Sequence, residues 1–140
     1  MRVMVIVKAT PASEAGRLPG PDLLSEMGLF NEQLVKAGVL LAAEGLQSSA
    51  HGVRVQFGAG GSTVVDGPFT ETRELIAGFW LWQVRSIEEA VEWIRRSPFR
   101  NGTETIEIRR VFEAEDFGES LPADVRVQEQ RLRAQATAKI

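Results

Sequence analysis

The spacing of apolar residues changes along the chain in an order that predicts an α+β fold. Runs rich in β-branched and aromatic residues suit strands, whereas apolar residues three or four positions apart suit helices. We predict strands at 3–7, 39–47, 77–84 and 105–112, and helices at 21–38 and 86–98. With a hairpin after the second strand, this order predicts a ferredoxin-like split βαβ arrangement, one sheet with helices on one face.

Both helices have clear start and stop signals. The first opens at Pro21 and Asp22 and should end at Gly38, and the second opens with a Ser86-x-x-Glu89 capping-box pattern and should stop at Pro98. The stripes expected to be buried are Leu23, Met27, Phe30 and Leu34 in the first helix and Ile87, Val91 and Ile94 in the second. In the last strand, Ile106, Ile108 and Phe112 should share one face.

The first and third main strands are apolar on both faces. In the third, alternation places Phe79 and Leu81 on one face and Trp80, Trp82 and Val84 on the other. Two helices can cover only one side of the sheet. The other side needs a partner, and a second copy of the chain is the most economical one, so we expect a homodimer packed sheet against sheet.

A β-hairpin is predicted in "GVRVQF" and "STVVD", which flank the glycine-rich "GAGG" at 58–61. The glycines invite comparison with a phosphate-binding loop. The stretch lacks the Gly-Lys-Ser/Thr ending, however, and lies between two strands rather than before a helix, so a hairpin turn is the better interpretation.

Beyond Phe112 the chain becomes polar. We predict one domain at 1–115 and a C-terminal extension at 116–140, helical or partly disordered, whose weak apolar stripe is Val125, Leu132 and Ala136. The extension is either an arm that grips a dimer partner or a solubilising tail.

Composition excludes several classes of function. The net charge of −3 gives no general attraction to nucleic acid or to an anionic membrane, and no apolar stretch is long enough to cross a bilayer. The absence of cysteine excludes disulfides and thiolate chemistry, and it is compatible with the cytoplasmic location that we expect. The N-terminal apolar run is interrupted by Lys8, well short of a signal-peptide core.

The single histidine excludes sites that need two imidazoles from one chain. His51 follows a polar loop, where it could shuttle protons, although a solvent-exposed histidine is the commoner outcome and we expect its removal to have little effect. We predict no metal and no cofactor. A site made only of carboxylates, from Glu44, Asp66 and Glu71, is the least favoured alternative.

The segment "VVDGPFTETRE" combines turn chemistry with a cluster of charges. Asp66, Gly67 and Pro68 suit a tight turn, because aspartate bonds nearby amides, glycine accepts positive φ and proline fixes its own φ. In the "TETRE" that follows, Thr70 can cap a short helical turn, and Glu71, Arg73 and Glu74 gather charge beside the strand of Trp80 and Trp82. A polar rim on an apolar floor is typical of small-molecule pockets, and Glu44 lies on the neighbouring strand.

Several of these stretches resemble the YCII-related family, in its DGPF subgroup. They are "EGLQ", "VVDGPFTETRE", "GFWLWQV", "SIEEAVEWIRRSP" and "IEIRRV", in the family's order over residues 1–115. The resemblance implies a ferredoxin-like fold that pairs into a dimeric α+β barrel, a cleft in each protomer, and Asp66 as the polar residue facing it. It also implies a link to sigma-factor regulation. The His–Asp dyad proposed for some members has no counterpart here, because the first helix contains no histidine.

Two functions remain open. The first is a cofactor-free small-molecule enzyme of lyase, isomerase or dehydrohalogenase type, in which Asp66 acts as acid or base with help from Glu44 or Glu71. Its substrate-binding residues would be Thr70, Arg73, Trp80 and Trp82, with Arg73 orienting an anionic group. The second is a non-catalytic dimeric module that senses a ligand or binds a protein, in which Asp66 only braces the turn.

Overall fold

The strands and helices follow the order predicted from the sequence. The computed structural model describes residues 1–138. Its strands are β1 (Arg2–Lys8), β2 (Leu40–Gly45), β3 (Val53–Gly58), β4 (Gly61–Asp66), β5 (Ile76–Gln83) and β6 (Ile106–Arg110). Its α-helices are α1 (Pro11–Glu14), α2 (Pro21–Lys36), α3 (Ile87–Arg95) and α4 (Ala123–Thr137). Short 3-10 turns lie at Ser49–His51, Thr72–Glu74, Pro98–Asn101 and Ala114–Ser120.

Four of the strands form one antiparallel sheet in the order β2-β5-β1-β6, and β3 and β4 form a separate two-stranded ribbon. Leaving the ribbon aside, the first and third main strands are central and antiparallel, with the second and fourth at the edges. This is the ferredoxin-like order, and it confirms the predicted α+β fold.

The helices begin and end where the sequence signals them. The side chain of Ser86 accepts a hydrogen bond from the backbone N–H of Glu89, which satisfies one free donor at the start of α3. Helix α2 starts at Pro21, and Gly38 follows its end with a φ of +73°, a conformation that glycine adopts without steric penalty.

The core lies between the sheet and helices α2 and α3. Phe30 and Leu34 of α2 and Ala90 of α3 are buried against Val3, Val5 and Val7 of β1 and Trp80 and Trp82 of β5. Each large apolar side chain buried in this way stabilises the fold by about 1.5 to 3 kcal/mol. The predicted alternation in β5 is correct, since Phe79 and Leu81 are only half-buried on the opposite face.

The contacts divide the chain into two compact units, residues 1–110 and the residues from 111 onward. The division lies slightly before the predicted boundary between 115 and 116. Within the second unit, the rings of Phe112 and Phe117 pack with centroids 5.1 Å apart, and α4 has no buried residue. The final two residues of the predicted extension, 139 and 140, lie outside the described part.

One detail of the last strand was predicted wrongly. Because β6 ends at Arg110, Phe112 does not continue the face of Ile106 and Ile108, and its side chain is 68% exposed. The pairing with β1 runs only from Ile106 to Arg110. The alternation of apolar residues in the sequence continues past Arg110, so it did not show where the strand ends.

Candidate functional site

A cavity of about 400 Å³ lies at the end of the main sheet where β2 finishes and β5 begins. The two strands are still joined there, since the backbone N–H of Leu46 donates to the carbonyl of Ala77 at 2.8 Å. The cavity is lined by Glu14, Leu46, Gln47, Ser48, Ser49, His51, Gly52, Arg54, Phe69, Glu74, Leu75 and Ile76. Residues from both the "EGLQ" and the "DGPF" stretches therefore meet at one place.

The turn after β4 is held against the 3-10 turn Ser49–His51 by two backbone donors. The N–H of Gly67 donates to the carbonyl of Gly52 at 2.9 Å, and the N–H of Phe69 donates to the hydroxyl oxygen of Ser49 at 3.0 Å. The Gly67–Pro68 peptide between them is cis. These contacts place the Phe69 ring on the cavity wall.

Gly67 is needed for a different reason from the one predicted. We expected it to adopt positive φ, but it is not among the positive-φ glycines of the described residues. A Cβ at position 67 would instead lie 1.7 Å from the carbonyl oxygen of Ser49 and 2.7 Å from its carbonyl carbon. The glycine allows two backbone segments to come into contact, which is a long-range property invisible in the local turn pattern.

The end of α1, the Ser49–His51 turn and the turn after β4 meet at one corner of the cavity. The carboxylate that holds this cavity corner together is Glu14, which was not among the predicted site residues. One carboxylate oxygen accepts from the backbone N–H of Ser49 at 3.0 Å, and the other accepts from the Ser49 hydroxyl. Glu14 ends the short helix α1, whose N-cap Thr10 forms a reciprocal capping box with Ser13. The local signal was present, because Thr10-Pro11 followed by Ser13 is a helix-start pattern.

Arg54 joins the ribbon to the cavity wall. Its guanidinium carbon lies 3.8 Å from the centroid of the Phe69 ring, a cation–π contact, and its Nη1 lies 3.5 Å from a carboxylate oxygen of Glu71. The pKa of Glu71 is lowered from its ordinary value, first by a hydrogen bond from its own backbone and then by the charge of Arg54, and the Thr70 side chain contributes through a further hydrogen bond.

The lining combines an apolar floor with a few polar groups. Leu46, Phe69, Leu75 and Ile76 provide the apolar surface. His51 and Glu74 add an imidazole and a carboxylate that can exchange protons with a bound molecule. Among the described residues the side chain of Glu74 makes no hydrogen bond or ion pair with protein, so its oxygens remain available to a ligand.

The three carboxylates predicted to be catalytic are not brought together. Asp66 ends β4 opposite Val53, is exposed, and accepts no hydrogen bond from another described residue. It is not among the residues that line the cavity, and its carboxylate has no hydrogen bond with which to brace the turn. Glu44 is paired with Phe79 and shares its face of the sheet, and Glu71 reaches the site only through Arg54.

The predicted binding residues are also dispersed. Arg73 and Thr70 are exposed and outside the cavity lining, and the 3-10 turn is capped at Glu71 rather than by the Thr70 side chain. Trp80 and Trp82, 4% and 0% exposed, pack around Phe30 in the core. Trp80 also donates from its indole nitrogen to Asn31 at 2.9 Å. The indole nitrogen of Trp82 is buried and has no hydrogen-bond partner among the described residues. Both rings pack in the core and do not line the cavity.

Residues 1–138 contain neither a metal-binding cluster nor a helix that could span a membrane. No cluster of three or more histidine, aspartate or glutamate side chains in this range is arranged to hold a metal ion, so Glu44, Asp66 and Glu71 do not form one. Nor does any helix within the range have the length and apolar character that crossing a bilayer requires.

Comparison with known proteins matches the chain to a family model, to a protein of similar sequence and to a solved structure. A family model described as YCII-related domain matches residues 1–115. An uncharacterized protein of Rhizobium meliloti (strain 1021) is 30% identical over 73 residues, which span 52% of this chain and 59% of that protein. The structure of 5-chloro-2-hydroxyhydroquinone dehydrochlorinase from Burkholderia phenoliruptrix AC1100, in complex with 2,5-dihydroxybenzoquinone, has a TM-score of 0.48 at 18% identity and covers 83% of this chain and 98% of its own.

Proposed function

The chain belongs to the YCII-related domain family, and we propose that it is a cofactor-free small-molecule enzyme of lyase, isomerase or dehydrohalogenase type whose active site is the cavity at the end of the sheet. The observation that carries the proposal is that His51 and Glu74 line the same cavity as the apolar side chains of Leu46, Phe69, Leu75 and Ile76. Small-molecule sites commonly have this composition, in which apolar walls hold the ligand and a few polar groups act on it.

The proposed chemistry is proton transfer. In an elimination, a base accepts a proton from carbon while a leaving group departs from the neighbouring carbon with its bonding electron pair. In an isomerisation, the proton is returned at another atom. We assign these exchanges to His51 and Glu74, because imidazole and carboxylate are the usual acid–base groups and both line the cavity. Glu14 is already held by Ser49, so we assign it to positioning the turn that carries His51.

This assignment replaces the acid–base roles that the sequence predicted for Asp66, Glu44 and Glu71, and it reverses the expectation that His51 is dispensable. The test begins with a thermal-shift screen of phenols, hydroquinones and small carboxylic acids, followed by NMR detection of turnover for each hit. His51→Asn and Glu74→Gln should each lower kcat by about 10²-fold or more. Asp66→Asn is the matched control and should turn over at the parent rate.

Two results would contradict the assignment. If Asp66→Asn abolishes turnover while His51→Asn and Glu74→Gln do not, the predicted aspartate is catalytic after all. If all three variants turn over the hit at the parent rate, the chemistry lies outside this cavity.

A second candidate is the non-catalytic ligand-sensing or protein-binding module, including the regulatory setting that the family resemblance implies. It is favoured by one observation, namely that Glu14 and Arg54 on the cavity wall are already engaged by Ser49 and Glu71. A hit that binds with His51-dependent affinity and is recovered unchanged would support this candidate over the enzyme.

We also propose that the chain is a homodimer of the α+β-barrel type. The supporting feature is the outer face of the sheet, where the half-buried side chains of Met4, Ile6, Phe79 and Leu81 form an apolar surface opposite the helices. Small-angle scattering should give the mass of two chains, and Leu81→Glu should give the mass of one. A monomeric parent protein would contradict the dimer.

Two finer assignments stay predictions. Placement in the DGPF subgroup depends on the residues Asp66 to Phe69 themselves. The cytoplasmic location depends on composition alone.

A further inference from the structure

Arg54 presents its guanidinium to the cavity in a defined orientation. Stacking of the guanidinium on the Phe69 ring, with 3.8 Å between the guanidinium carbon and the ring centroid, occupies one face of the planar group. The five N–H donors of arginine lie in that plane, so stacking leaves the donor edge free for hydrogen bonds. A stacked arginine is therefore already oriented for a planar anion.

The ion pair between Arg54 and Glu71 uses only part of the donor edge of the guanidinium. It is one 3.5 Å approach between Nη1 and a carboxylate oxygen, and the two side chains are 39% and 51% exposed. An ion pair so accessible to water contributes little to stability. Within residues 1–138, Glu71 is the one carboxylate in an ion pair with Arg54, so other N–H groups of the guanidinium lack an anionic partner.

We propose that Arg54 binds the carboxylate of a small monocarboxylic acid, whose apolar part lies against Leu46, Phe69 and Ile76, and that Glu71 competes with this carboxylate for the guanidinium. The inference rests on the proposed function, since it names the class of substrate for the same cavity. It moves the role of orienting an anionic group from Arg73, which is exposed and outside the lining, to Arg54.

The charge of the cavity wall selects a monoanion. Among the described residues, Arg54 is the one arginine or lysine of the lining, which also contains the carboxylates of Glu14 and Glu74. A phosphate monoester, with nearly two negative charges at neutral pH, would meet this acidic wall with a single compensating cation. A carboxylate matches the arginine edge in geometry, because two parallel N–H···O bonds can form, and it adds only one charge.

The experiment compares three probes of similar size, benzoate, benzamide and phenyl phosphate, by amide NMR titration of the full chain. Benzoate should shift the signals of cavity residues and should bind more tightly than benzamide or phenyl phosphate. Arg54→Gln should weaken benzoate binding by about tenfold or more, as expected for loss of charge-assisted hydrogen bonds, while benzamide changes little. Glu71→Gln should tighten benzoate binding by about threefold, because it removes the competitor.

The sequence predicted that Arg73 orients an anionic group, so Arg73→Gln tests that prediction against the role proposed for Arg54. This variant should bind benzoate like the parent. The proposal is overturned if benzamide or phenyl phosphate binds as well as benzoate, if benzoate at millimolar concentration shifts no cavity signal, or if Arg54→Gln binds benzoate unchanged. None of these readouts uses turnover. If His51→Asn loses catalysis but still binds benzoate, the catalytic role of His51 and the binding role of Arg54 are independent of each other.

Discussion

At the scale of single residues, Gly67 is more important to the cavity than its neighbour Asp66, although the residue types suggest the opposite. The aspartate has the functional group but is exposed at the end of β4, whereas the glycine has no side chain and permits the backbone contact with Ser49 on which the cavity corner depends. Close backbone approach is one of the few demands that only glycine meets.

Gly67→Ala should destabilise the protein by about 2 kcal/mol or more, at the upper end for single substitutions, because the new methyl group must displace the Ser49 carbonyl. The matched control is Gly60→Ala in the hairpin turn, where an added Cβ meets nothing within 4 Å, and a change within about 0.5 kcal/mol is expected. Urea unfolding of both variants measures the difference. Equal stability of the two would show that the turn does not pack on Ser49 as described.

Glu71 provides a pH-dependent prediction. Its pKa is lowered in the folded state, so the stability that it contributes is present above the ordinary glutamate value and is lost as the pH falls through the folded-state pKa. An NMR titration of its carboxyl carbon should show the lowered midpoint. In Arg54→Gln the midpoint should rise only part of the way, because the hydrogen bond from its own backbone, the largest cause, remains. An unchanged midpoint in that variant would remove Arg54 as a cause.

At the scale of elements, the cavity corner is built by a short helix and two turns rather than by the sheet. The end of α1, the Ser49–His51 turn and the turn after β4 are joined through one side chain, Ser49, which donates its hydroxyl to Glu14 and accepts from the N–H of Phe69. Such a chain of hydrogen bonds couples its members, so their contributions to stability should not be additive.

A double-mutant cycle tests this coupling. Ser49→Ala and Glu14→Gln should each cost about 1 to 2 kcal/mol, since each leaves polar groups of the corner without a partner. The double variant should cost less than the sum, because the second change removes an interaction already lost. Thr63→Ala, on the exposed strand β4, is the control for a general effect of losing a hydroxyl. Additive costs would mean that Glu14 and Ser49 act independently.

The sheet, helices α2 and α3 and the hairpin were predictable because each depends on local periodicity and on capping or turn residues. Trp80 and Phe79 were correctly placed on opposite faces of β5 for the same reason. The site was less predictable. The contacts of Glu14 with Ser49, 35 positions apart, and of Phe69 with Ser49, 20 apart, depend on how loops meet, and loop docking has no sequence period.

At the scale of the whole molecule, the division into two units separates the ferredoxin-like sheet from the C-terminal segment. The first unit, residues 1–110, contains the core and all of the cavity lining. The second contains the Phe112–Phe117 contact and the exposed helix α4. The fold and the proposed chemistry should therefore both belong to the first unit.

Truncation after Phe117 should leave the fold and ligand binding intact, because it removes α4, which has no buried residue, and keeps the paired phenylalanines. Circular dichroism and thermal melting of the truncated and full chains provide the measurement. Collapse of the truncated protein would show that α4 has a structural role, such as that of an arm that grips a dimer partner.

The proposed function and the role of Arg54 both require that ligands bind at the end of the sheet and not on its outer face. The most direct measurement is a two-dimensional amide NMR titration with the strongest hit among phenols, hydroquinones and small carboxylic acids. The largest shifts should belong to the amides of Ser49, His51, Arg54, Phe69 and Ile76. Largest shifts at Met4, Glu44, Phe79 and Leu81 would contradict binding at the end of the sheet.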